Sequence, residues 1–287
     1  MPVEERIGAA PVVFADTVTV LPEGVEGAVL VTGSHGGAYP AALAARARPC
    51  ALVFHDAGVG REHAGIAALA VFEAIGRPAV AVAHDSARIG ETADMMARGR
   101  VSFENGFAGA AGIRAGMPLA EAVSRLAEAG FDPVEDVPDK PSESRIVLRR
   151  GSGGRIAHAD SAALVEPSDA GAVVVTGSHG GLIGGDPRKA LKVDAYAAVF
   201  NDAGIGIDGA GIRRLAALDL RGIAAVTVAA ASARIGDARS ACRTGVVSRV
   251  NRRAAALGAV EGAAMAALAE RWADSAAAAR QPGPRST

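Results

Sequence analysis

Lysine, cysteine and aromatic side chains are nearly missing from this chain, and each shortage closes off a class of protein. Of 287 residues, only Lys140, Lys189 and Lys192 are lysines. The 30 basic residues are therefore almost all arginine, and 31 acidic residues balance them to a formal charge of −1. A near-neutral chain lacks the basic footprint of a nucleic-acid binder, so no nucleic acid is expected among its partners. Cys50 and Cys242 are the two cysteines. They make neither a disulfide framework nor a metal-ligand spacing. Aromatics supply 3% of the chain against 50% hydrophobic residues overall, so the core must come from Ala and Val with backbones packed closely. Met1–Ala10 has no apolar signal core and no run reaches the length of a membrane span. A soluble, cytoplasmic protein with no membrane partner is the expectation.

What the chain does have, it has twice. The run Val31–Gly37 (VTGSHGG) returns letter for letter as Val175–Gly181. Phe54–Gly60 (FHDAGVG) returns as Phe200–Gly206 (FNDAGIG), and Ser86–Gly90 (SARIG) as Ser232–Gly236. The first pair lies 144 residues apart (35 to 179), the other two 146 apart (56 to 202, 88 to 234). Asp16 with Asp160 and Asn105 with Asn251 are weaker echoes at the same two offsets. A single doubling of this length is a domain duplication, not a solenoid.

Each copy alternates short apolar runs with helical stretches. Ala28–Val31, Ala51–Phe54 and Ala79–Ala83 read as strands buried on both faces, followed by helices over Pro40–Arg46, Ala64–Ile75 and Thr92–Arg98. The second copy repeats the strands at Ala172–Val175, Ala197–Phe200 and Ala224–Val228. The expected fold class is α/β: two duplicated parallel-sheet units related by pseudo-two-fold symmetry, with a ligand cleft at the strand carboxyl ends. The expected boundaries are 8–129 for the first unit, 130–155 for a Pro- and Gly-rich linker, 156–272 for the second unit and 273–287 for a disordered tail.

All three motifs fall at predicted strand ends, the edge where open α/β sheets bind ligands. Thr-Gly-Ser-His-Gly-Gly brings a hydroxyl, an imidazole and a flexible backbone together. Ser34, His35, Ser178 and His179 are thus candidate catalytic groups, with Gly36, Gly37, Gly180 and Gly181 as backbone donors; the plainer reading is a tight turn whose Ser caps a helix. Asp56 and Asp202 either orient a substrate-binding neighbour or cap a helix. Gly204–Gly209 satisfies G-x-G-x-x-G, but Ala229–Ala231 stand where the dinucleotide fingerprint needs an acid. Arg88 and Arg234, with Ser86 and Ser232 beside them, offer a fork for an anion, or equally an ion pair with Asp56 or Asp202.

The copies also diverge. His55 and His84 of the first face Asn201 and Ala230 of the second, so with His35 three imidazoles sit at three strand ends. They are candidate catalytic groups; no cofactor is expected, and the alternative is a divalent metal at His35, His55 and His84. Lys189 is either a substrate anchor or helix surface.

Two duplicated α/β halves facing a cleft resemble the aspartate/glutamate racemase superfamily in architecture. The paired cysteines of that superfamily have no counterpart at matching strand ends here, so no residue role carries over. The function expected is a small-molecule enzyme whose anionic or carbonyl-containing substrate lies between the repeats, an amide or cyclic-amide hydrolase or a lyase. A two-base racemase and a non-enzymatic binder of an anionic metabolite are the alternatives, and a homo-oligomer remains open.

Overall fold

A computed structural model describes residues 4–6, 10–135, 137, 139 and 142–279. The chain divides into two compact units that do not follow its linear order. The first comprises Met1–Ser142 together with Gly181–Asp186 and Ala203–Gly211; the second comprises Glu143–Gly180, Pro187–Asp202 and Ile212–Thr287. Two pieces of the second copy, including its Asp-Ala-Gly-Ile-Gly loop beyond Asp202, thus fold with the first.

The first sheet runs in the order β1 (Glu4–Arg6), β2 (Pro11–Ala15), β3 (Val29–His35), β4 (Ala51–His55), β5 (Ala79–Val82), β6 (Val101–Glu104). The strands β2 to β5 are parallel, while β1 and β6 pair antiparallel at the edges. The sheet is therefore mixed, where the apolar runs alone predicted a parallel one. Val101–Glu104 buries only its first residue fully, the pattern of an edge strand with one wet face.

Alternation along the buried strands fixes the layers. Val29, Val31, Val53, Val80 and Val82 point to one face, under Met95 of α3 (Thr92–Arg98) and Leu119, Val123 and Leu126 of α5 (Leu119–Glu128), with α4 (Gly106–Ala110) between them in sequence. Leu30, Leu52, Phe54 and Ala81 point to the other, against Ala41, Ala44 and Ala45 of α1 (Ala38–Arg46) and Phe72 of α2 (Ala68–Ala74). With alanines at its contact positions, α1 can lie close to the sheet.

The second sheet has the order β12 (Val247–Val250), β11 (Ala224–Val228), β10 (Ala197–Asn201), β9 (Val173–His179), β8 (Arg155–Ala159), β7 (Arg145–Arg149). Its strands β8 to β11 are parallel and β7 and β12 close the edges antiparallel. On one face α7 (Ala238–Thr244) and α9 (Met265–Ala278) pack Ala241, Leu268 and Trp272 over the valines; α6 (Arg213–Leu220) contacts β11, and α8 (Arg252–Ala256) precedes α9.

Helix α9 runs on to Ala278, through the first residues of the expected tail; 280–287 lie outside the described residues, as do 136, 138, 140 and 141 of the expected linker. Among the described residues no helix is long and apolar enough to cross a membrane.

Candidate functional site at the strand ends of the first unit

Three motif residues end three neighbouring strands. His35 closes β3 and stands in register with His55 at the end of β4, and His84 follows β5. The Ser-His pair lies within strand β3, not in a turn, and the following helix is capped at Gly37 with no side-chain hydrogen bond. Ser34 therefore caps no helix.

His55 is 1% exposed and both its ring nitrogens are engaged by backbone. Its Nδ1 accepts the Ala57 N–H at 3.1 Å, so Nε2 must carry the proton it donates to the Ala87 carbonyl at 3.0 Å. Burial, opposed by Asp56 and the Ala87 carbonyl, lowers its pKa and keeps the ring neutral. In the second unit the Asn201 amide makes the equivalent bond, donating Nδ2–H to the Ala233 carbonyl at 3.1 Å. The His/Asn divergence preserves one hydrogen bond.

His35 is oriented but not consumed. Its Nδ1 accepts the Gly37 N–H at 3.1 Å, which places the proton on Nε2. That nitrogen has no hydrogen-bond partner among the described residues. Burial, and then the neighbouring His55, push the pKa down to about 4. At neutral pH His35 is an uncharged imidazole presenting an N–H.

His84 has the opposite polarity. Asp56, 2% exposed, receives three donors on one oxygen: the Gly58 N–H at 3.0 Å, the His84 N–H at 3.0 Å and His84 Nδ1 at 3.1 Å. Burial pushes the Asp56 carboxyl up, but the His84 hydrogen bond, the electrostatic influence of His55 and His84 and the Gly58 N–H outweigh it and hold it below its usual value. An ionised carboxylate only accepts, so Nδ1 donates and the basic lone pair of a neutral His84 is on Nε2. The His84 side chain is 33% exposed. In the second unit Asp202 receives the Ala230 N–H at 2.8 Å, and Ala230 occupies the sequence position that matches His84.

The loop beyond Asp56 is an unusual backbone. Ala57, Gly58, Val59 and Gly60 are consecutive left-handed residues (φ 49°, 71°, 60°, 71°), as are Ala203, Gly204, Ile205 and Gly206 (49°, 75°, 64°, 69°). Positive φ of this kind costs roughly 1–2 kcal/mol at each non-glycine residue. Both belong to the first unit and cross at their glycines: a Cβ on Gly58 would lie 2.7 Å from the Gly204 Cα, and one on Gly204 would lie 2.8 Å from the His84 ring. The Ile207 N–H donates to the His84 carbonyl at 2.8 Å. The Gly206, Gly209 and Gly211 amides bond carbonyls within the same segment, so Gly204–Gly209 forms no phosphate cradle.

The remaining predicted residues lock the edge together. Ser34 Oγ accepts the Val18 N–H at 3.0 Å and Ser178 Oγ the Ala162 N–H at 2.9 Å, each holding the loop after the preceding strand. Ser86 and Ser232 donate to the Ala83 and Ala229 carbonyls and accept the Arg100 and Val246 N–H groups. Arg88 meets Asp208 at 2.9 Å, Glu91 at 3.3 Å and Asp94 at 3.6 Å, and Asp208 is shared with Arg98. Arg234 pairs with Asp237 at 2.7 Å. The partners of Arg88 do not include Asp56. The Gly36 N–H serves the His55 and Gly65 carbonyls and the Gly180 N–H the Asn201 carbonyl; Gly181 and His179 are buried, and Lys189 lies in an exposed 3-10 turn.

Sequence reasoning missed what Asp16 and Asn105 do. Asp16 takes the Thr92 N–H and hydroxyl at the start of α3, while Asn105 caps α4 and binds the Ala79 N–H. Their echoes Asp160 and Asn251 bind the Ala238 and Ala225 N–H groups, and the repeat offsets alone singled all four out. Among the described residues no group of three or more His, Cys, Asp or Glu is placed to hold a metal ion. The His35 and His55 Nδ1 atoms are both spent on backbone N–H groups. Comparisons with protein families, with curated proteins and with solved structures each give no match.

Proposed function

We propose that the protein is a small-molecule lyase acting on a carbonyl compound at the carboxyl-end edge of the first sheet. His84, oriented by Asp56, takes a proton from the carbon beside the carbonyl, the His35 Nε2–H donates a hydrogen bond to the oxygen as charge develops there, and the enolate's electron pair then forms a double bond as the group on the next carbon leaves with its bonding pair. The observation that carries this reading is the buried Asp56 carboxylate bonded to His84 Nδ1. A base after β5 and a donor at the end of β3, two strands apart on the same sheet edge, are the two groups enolising chemistry requires, and a neutral imidazole is suited to polarising a carbonyl. Ser34 is a poor nucleophile candidate, because its Oγ accepts the Val18 N–H and, among the described residues, no hydrogen bond joins it to a base. That weighs against the acyl-serine form of a hydrolase.

The same reading takes the two sheets as products of one duplication with pseudo-two-fold symmetry. Its support is the repeated motifs and the identical strand order and sense of β1–β6 and β7–β12. The first copy would then hold the chemistry while the second supplies the Gly204 loop packed on His84.

The test is a comparison of cell extracts incubated with the wild type, His84→Ala, Asp56→Asn and Ser34→Ala. The reading expects metabolites consumed by the wild type and by Ser34→Ala, with rates reduced roughly 10²–10⁴-fold in the His84 variant, the usual contribution of a positioned base. Turnover that survives His84→Ala but disappears with Ser34→Ala would overturn it in favour of serine chemistry. Binding of a metabolite without consumption would favour the carrier reading.

A further inference from the structure

The second unit has a groove of about 750 Å³ between the β7–β8 hairpin and helices α7 and α9, sharing no residue with the site above. Its lining includes Ile146 and Leu148 of β7, Ile156 and His158 of β8, and Cys242 of α7. Arg149, Arg239 and Arg243 also line it and have no carboxylate partner among the described residues. Glu270, the acidic residue of the lining, is already paired with Arg150 at 3.1 Å. Arg239 and Arg243 are four apart on α7, so they stand on one helix face and repel each other. An unneutralised arginine pair on one face favours an anion.

A second observation lies deeper. His158 is 8% exposed, and its Nε2 is buried with no hydrogen-bond partner. Buried polar atoms without partners are rare in folded chains and point to a missing ligand or water. At His158 and on α7 the matching positions of the first copy are apolar. At the two repeat offsets, Phe14 stands for His158, Met96 for Cys242, and Ala93 and Ala97 for Arg239 and Arg243.

We propose that this groove binds a small organic anion, its apolar body against Ile146, Leu148 and Ile156 and its charged head between Arg239, Arg243 and His158. Arginine forks suit a phosphate or carboxylate head, and the apolar strand residues suit a carbon skeleton.

Calorimetric titration with phenyl phosphate, inorganic phosphate and phenol tests it. Phenyl phosphate should bind one to one, inorganic phosphate at least tenfold more weakly, and phenol not detectably. The double variant Arg239→Ala/Arg243→Ala should weaken phenyl phosphate binding at least tenfold. His158→Phe, which installs the first copy's residue, should weaken it while leaving the melting temperature near that of the wild type. Arg252→Ala/Arg253→Ala on α8 should leave it unchanged. No phenyl phosphate binding at millimolar concentration, or equal affinity in the Arg239/Arg243 and Arg252/Arg253 variants, would overturn the proposal.

Discussion

His55 and Asn201 show how a divergent pair can keep one job. The imidazole Nε2–H and the amide Nδ2–H each reach the carbonyl of the alanine before the Ser-Ala-Arg arginine, Ala87 and Ala233. His55→Asn should therefore be tolerated, whereas His55→Leu strands the Ala87 carbonyl and the Ala57 N–H in the core and should cost about 1–3 kcal/mol for each unsatisfied group. Denaturant unfolding of both variants checks this, and equal losses would mean the hydrogen bond is not what the position requires. Arg88 is tied by its partners to the same edge. Its contacts with Asp208, Glu91 and Asp94 predict that Arg88→Lys lowers the melting temperature and leaves turnover by the folded protein nearly unchanged. A raised KM with an unaltered melting temperature would restore the anion clamp that the motif suggested.

At the scale of elements, the left-handed loops are where the backbone is under most constraint. Gly58→Ala and Gly204→Ala must each adopt a left-handed φ and also push a methyl into backbone or ring atoms at 2.7–2.8 Å. Gly222 supplies the control, since at φ 72° it has open space around it. Gly222→Ala should lose only the conformational term, roughly 1–2 kcal/mol, and the two loop variants should lose clearly more. Equal losses at all three positions would show that the loops are not packed as described. These elements also mark how far the sequence was legible. The buried apolar runs located β3, β4, β5, β9, β10 and β11 to within a few residues, because strands covered on both faces leave an unbroken hydrophobic signature. Of the edge strands, Arg145–Leu148 was legible within the linker, whereas Val101–Glu104 and Val247–Val250 escaped, being short and half wet with no such run. At the strand ends, the repeats singled out residues but not their hydrogen-bond partners. Whether a serine faces a ligand or the Val18 N–H depends on a loop sixteen residues away, and no local pattern records that.

For the whole molecule, burial of neutral imidazoles sets the pH dependence of stability. His35 titrates near 4 when folded and near 6.5 when unfolded, so between those values the unfolded chain binds more protons. His55, also lowered by burial, adds in the same direction. Stability should be full above about pH 6.5 and fall as the pH drops toward 4, with His35 alone contributing on the order of 3 kcal/mol across that window. Unfolding free energies measured from pH 7 to 4.5 should show this slope, and a His35→Gln variant should flatten it; an unchanged slope would place His35 in contact with solvent.

The central claim is that His84, held by Asp56, moves a proton at carbon, and isotope exchange measures that step directly. Once the extract comparison supplies a substrate, it is incubated with the protein in deuterium oxide and recovered for NMR. The account predicts deuterium at the carbon beside the carbonyl, appearing with the wild type and Ser34→Ala and lost with His84→Ala. Exchange or turnover undiminished in His84→Ala would contradict it.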